Sequence, residues 1–154
     1  MPELRPGVFE AMFAKVVTES DTRTRLALEP LAVAVERQAR INASNGRHDY
    51  GTPTPARPGE GPAQISGTLR RSVDHSPIVK DKTGWMTKVG PRRGMTPPYG
   101  SGSTESHEYG YYLETGLKNG TTYPWLKPAA DYASKVAATV IFKEKYGANW
   151  RRLI

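Results

Sequence analysis

Three histidines, His48, His75 and His107, are the residues best suited to acid–base or metal chemistry, and their spacing offers neither. They lie far apart, and no HExxH or other paired metal-ligand spacing accompanies them. Asp74-His75-Ser76 sets the three residue types of a hydrolase relay side by side. Successive side chains on a strand point to opposite faces, so these three cannot relay a proton among themselves. Glu105, Glu108 and Glu114 are close enough in sequence to suggest a carboxylate pair, but loop placement and the lack of an apolar pocket read them as surface charge. Gly100-Ser101-Gly102-Ser103 lacks the third glycine and the preceding strand of a phosphate cradle. With no cysteine, disulfides and thiolate metal sites are excluded. The residues therefore argue for no catalytic set, no cofactor and no metal.

What remains is charge and surface. Lys and Arg outnumber Asp and Glu by 22 − 15 = +7, which raises the odds of a nucleic-acid partner. The cations come as short pairs, Arg70-Arg71, Arg92-Arg93 and Arg151-Arg152, without a dense basic stripe. That pattern fits solvated faces and contacts with acidic protein neighbours. No stretch approaches the ~18 apolar residues of a membrane span, and the start reads as no signal peptide. The sequons at Asn42 and Asn119 are accordingly read as chance matches. Absence of cysteine agrees with assembly in a reducing cytoplasm.

The elements that would carry these residues are legible in outline. The length of 154 residues fits one domain, 1–154. Phe9, Met12, Phe13, Val16 and Val17 have helical spacing. A polar break at Asp21–Thr24 follows, with Asp21 as a candidate cap for a second helix carrying Leu28, Leu31, Ala32, Val35 and Ala39. Pro30 predicts a helix start or a kink. Proline and glycine then dominate a loop at 44–64, and a second loop spans 90–107. Ser66 can cap a short helical turn through Arg71, while Val73–Val79 and Trp85–Val89 read as strands around a Lys80–Gly84 turn. Tyr109–Thr115 is ordered but of open type, and Asn119-Gly120 marks a tight turn. A helical stripe runs from Leu126 to Ile141, ending near Gly147 before a tail, 147–154, with Trp150, Arg151 and Arg152. The expected class is α+β: N-terminal helices and a C-terminal helix packed on a small, mainly antiparallel sheet.

Two blocks add a resemblance. Residues 58–73, PGEGPAQISGTLRRSV, resemble the "PGEPPA…TGxLRRSI" segment of the head–tail joining and tail-completion proteins of long-tailed bacteriophages. Residues 109–116, YGYYLETG, followed by PWLKPA from Pro124, look like that family's "YAxxxExGT…PFLxPA" ending. The resemblance covers roughly residues 26–142, with Ser66 where the family has threonine and Trp125 where it has phenylalanine. It marks Ser66, Gly67, Leu69, Arg70, Ser72, Tyr109, Glu114, Gly116, Pro124, Trp125 and Pro128 as signature residues. Physically, Gly67 and Gly116 suit backbone geometry that other residues resist, and Pro128 suits the first turn of the last helix. Leu69, Val73, Leu113, Trp125 and Leu126 are the expected core.

The resemblance implies a mechanical role in the virion neck, with assembly in the host cytoplasm. The expected partners are further copies in a ring of six, the adjoining connector or stopper, the tail tube or terminator, and genomic DNA passing through without sequence readout. Arg47, Arg57, Arg92 and Arg93 in the loops, and Trp150, Arg151 and Arg152 in the tail, are the expected channel or partner contacts. A terminator or head-side stopper in the same neck is the near alternative. The alternative of another class is a free basic nucleic-acid-binding protein, suggested by a pI near 9.7.

Overall fold

The computed structural model describes residues 6–47, 56–98 and 104–147. One helix, α1 (Pro6–Asn42), is the spine: 37 residues, or about 55 Å at 1.5 Å per residue. This corrects the expectation of two helices parted at Asp21–Thr24. The hydroxyls of Thr18, Thr22 and Thr24 donate to the carbonyls of Ala14, Thr18 and Ser20, four residues back, so these polar residues are satisfied inside the helix. Pro30 sits within α1, removing one N–H donor without ending it. Asp21 caps nothing; it lies in mid-helix and binds the tip of a hairpin.

After the segment 56–67 come α2 (Thr68–Ser72) and four three-residue strands: β1 (Val73–His75), β2 (Val79–Asp81), β3 (Gly84–Met86) and β4 (Val89–Pro91). β1 pairs antiparallel with β4, and β2 with β3. The partners run Val73↔Pro91 to His75↔Val89, then Val79↔Met86 to Asp81↔Gly84. Three residues (76–78) thus face two (87–88), the mark of a bulge, and Pro77 with its missing N–H occupies it. The expected pair of longer strands is divided there into two short ladders. Asp81 Oδ1 accepts from the Thr83 and Gly84 amides and closes the tip.

The element at Tyr109 is a helix, α3 (Ser106–Thr115). A tight turn at Leu117–Thr121 follows, with Gly120 at φ 79°, as Asn119-Gly120 predicts. The last helix runs as α4 (Leu126–Tyr132), a π turn (Ala133–Ala137) and α5 (Ala138–Gly147). It lies antiparallel to α1. Asn42 Nδ2 donates to Trp125 O at one end, and Arg23 Nη1 donates to Lys145 O at 2.6 Å at the other. There Arg23, nearly buried and paired with Glu19, satisfies a carbonyl of α5's last turn. The π turn changes the outcome of the apolar stripe. Ala129 and Ala133 are buried, whereas Val136 within the wide turn and Val140 beyond it face outward.

The core is Ala39, Ala43, Leu69, Val73, Trp125 and Ala129, with Val35, Val89, Tyr109, Leu113 and Leu126 packed against it. The architecture is α+β: a long N-terminal helix and a C-terminal helix with a small antiparallel β part. Among the described residues no helix is long and apolar enough to cross a membrane.

Candidate functional site

The two sequence blocks meet at Trp125. Its indole is 1 % exposed and donates Nε1–H to Gly110 O at 3.0 Å. A side chain at Gly110 would bring its Cβ to 2.9 Å from Leu69 Cδ1 and 3.3 Å from Trp125 Cζ2, so this helix face must be bare. Glu114 then fixes the entry to α4. Its Oε2 accepts from the amides of Trp125 (2.8 Å) and Leu126 (2.9 Å), and its Oε1 from Lys127 (3.0 Å). A carboxylate across these amides satisfies the open donors of a helix start and faces the positive end of its dipole. Pro128 falls in the first turn of α4, where its missing N–H costs nothing.

On the first block, Ser66 Oγ accepts from the Thr68 amide, and Gly67 turns the chain at φ 70°. Ser72 is fully buried, with Oγ donating to Leu69 O, and its carbonyl accepts from the Arg92 amide. Gly116 ends α3 at φ 131°. Burial pushes the Tyr109 hydroxyl up to about 12, against the opposing effects of the Leu69 backbone and the Arg71 charge. None of these residues forms an acid–base pair; they join two segments into one packed unit.

An apolar groove of 310 Å³, not foreseen from sequence, opens beside this unit, with Ala43, Pro62, Ile65, Tyr109, Leu113 and Leu117 among its lining. Adjoining it through Gln64, Gly67 and Arg70 is a polar depression of 650 Å³ lined by Arg40, Arg70, Arg71, Arg92 and Met95. Of the cations expected to meet a partner, Arg92 belongs to this face, whereas Arg47, Arg57 and Arg93 stand exposed outside it. Trp150, Arg151 and Arg152, and the loop segments 48–55 and 99–103, lie outside the described residues.

Sequence reasoning also missed a network that joins residues 39 and 46 positions apart. His75 Nδ1 lies 2.7 Å from Glu36 Oε2, and its Nε2 lies 3.3 Å from Glu29 Oε1. The hydrogen bond to Glu36 leads in raising the His75 pKa above its ordinary 6.5; burial opposes this, and Glu29 adds to it. Glu36, Asp74 and His75 have donor atoms close enough for one metal ion. Arg40 already pairs with Glu36, and Arg92 approaches Asp74 at 3.6 Å, so the acids are compensated and the arrangement is an ion-pair network. At the hairpin tip, Asp21 Oδ1 accepts from Lys80 Nζ and Trp85 Nε1, and the Lys80 hydrogen bond leads in holding its pKa below the usual carboxylate range. Lys80 and Arg25 both lie over the Trp85 ring.

Comparison with protein-family models, curated proteins and solved structures finds no match for this chain.

Proposed function

We propose that the chain is a structural subunit of a bacteriophage neck, a tail-completion or head–tail joining protein. Copies of it form a ring, six to a turn, between the head's connector and the tail tube, and the genome passes through the centre. The role is mechanical: closing one end of the tail and presenting a docking surface in the virion, after assembly in the host cytoplasm. A head-to-tail interface repeated around an axis closes into such a ring.

One observation carries this reading. The residues of the two resembling blocks, some 40 positions apart, make a single unit in which Leu69, Gly110, Glu114 and Trp125 depend on one another. That is how signature residues of a fold behave, and it supports treating the resemblance as one pattern. Imaging of the virion neck tests the proposal. A symmetric ring of this chain is expected, and one or two copies per particle would rule it out. Terminator and stopper positions are then told apart by the ring's neighbours.

A second reading, a free basic nucleic-acid-binding protein, is favoured by the arginine-lined depression. It predicts abundant protein on DNA in infected or expressing cells and none in purified particles.

A further inference from the structure

The geometry points to the depression between α1, α2 and the end of β4 as a binding face for the phosphate backbone of duplex nucleic acid, without sequence readout. Arg40 comes from α1, Arg70 and Arg71 from α2, and Arg92 from the residue after β4. Their charges are unequally matched. Arg40 pairs with Glu36, and Arg92 reaches Asp74 at 3.6 Å. Arg70 and Arg71 have no carboxylate within ion-pair distance among the described residues.

These two arginines are held instead by neutral acceptors. Arg70 Nη1 donates to Gln64 Oε1 at 3.5 Å, while Arg71 donates to Ser66 O at 3.2 Å and to Thr68 Oγ1 at 3.4 Å. Such bonds orient a guanidinium and leave its charge and remaining N–H groups for an external anion. A planar fork of donors matches phosphate oxygens in pairs. Both side chains are exposed, so an anion reaches them without rearrangement of the chain. Gly67 at φ 70° keeps the floor low between them, since a Cβ there would press on Arg71 Nη1 at 3.2 Å. Among the described residues no aromatic ring lines the depression, so its described lining offers bases no stacking platform and favours contact with the backbone.

The inference deepens the neck reading by giving passing DNA a surface to meet, but its test is independent of particles. Full-length protein is titrated against short fluorescent duplexes of two unrelated sequences over a salt series. Arg70→Gln with Arg71→Gln should weaken binding to both duplexes about tenfold and lower the salt slope by about 2. A control removing as much charge elsewhere, Lys118→Gln with Lys135→Gln, should leave the slope near wild type. Circular dichroism melting confirms that each variant is folded, and Arg70→Lys with Arg71→Lys checks whether charge alone restores affinity. Equal losses in cluster and control variants would reduce the effect to net charge and overturn the proposal. Preference of the wild type for a polyglutamate probe over duplex, lost in the cluster variant, would assign the face to an acidic protein and equally overturn it. A ring seen in virions whose protein does not bind duplex sinks this inference alone, whereas duplex binding by a protein missing from particles sinks the neck reading alone.

Discussion

Gly110 and Trp125 fit each other as a pair: the indole donates to Gly110 O and fills the space that a side chain at Gly110 would need. A larger ring here requires a smaller partner on α3. Gly110→Ala should cost about 1–3 kcal/mol, because the added methyl meets Leu69 and the indole in a packed core. Joined with Trp125→Phe, part of that loss should return, giving a favourable coupling of about 1 kcal/mol in a urea-denaturation cycle. Strict additivity of the two changes would mean that the contact does not set the residue choice. His75 gives a second residue-scale test. Its folded pKa is raised by Glu36 and then Glu29, so the protonated form belongs to the native state. Its contribution is fully present below the unfolded value of about 6.5 and is lost as pH rises through the higher folded value. The melting temperature of wild type minus that of His75→Gln should therefore shrink across that window. A difference flat in pH would show that the histidine's charge does not matter to stability.

At the scale of elements, the hairpin consists of two ladders with different anchors. β1 and β4 sit on the core through Val73 and Val89, with Arg40 donating to Val73 O. β2 and β3 lie beyond the Pro77 bulge, where the Asp21 contacts with Lys80 and Trp85 tie the tip to α1. Asp21→Asn weakens the charge-assisted half of that tie. Amide exchange across 79–86 should speed up severalfold, while 73–75 and 89–91 keep their wild-type rates. Uniform acceleration of both ladders would mean that the hairpin opens as one unit. The helix stripes and the tight turn at Gly120 were legible because each follows a short-range rule of spacing or backbone geometry, while Leu69, Val73 and Trp125 were read as core from their place in the two resembling blocks and their apolar character. The continuity of α1 was not, since Thr22, Arg23 and Thr24 look like a polar break until their partners on Thr18, Lys145 and Ser20 are known. The π turn likewise leaves no local signal, so the outward turn of Val136 and Val140 could not be read from their spacing. The arginine face draws on α1, α2 and the end of β4, and only the tertiary fold brings these segments together.

For the whole molecule, α1 is the element on which nearly everything else packs, yet among the described residues one of its faces carries half-exposed apolar side chains. Leu26 and Val33, two helical turns apart, are each about half exposed, and Ile41 continues the exposed apolar set toward the helix end. Single exposed apolar residues are ordinary on any surface. A row along one helix face is the kind of seam that copies of one chain can share. If the chain forms a ring, this face is where we expect neighbouring copies to meet. Leu26→Asp with Val33→Asp replaces two half-exposed side chains by weaker helix formers, so the isolated chain should lose about 1–2 kcal/mol and stay folded. The same chain should fail to enter the proposed ring, because charges buried at each repeated contact are destabilising. Complementation with the variant, followed by imaging of particles and a count of joined heads and tails, checks this. Normal rings and normal joining would exclude this face of α1 from the seam; a variant that unfolds would show instead that the chain itself needs Leu26 and Val33.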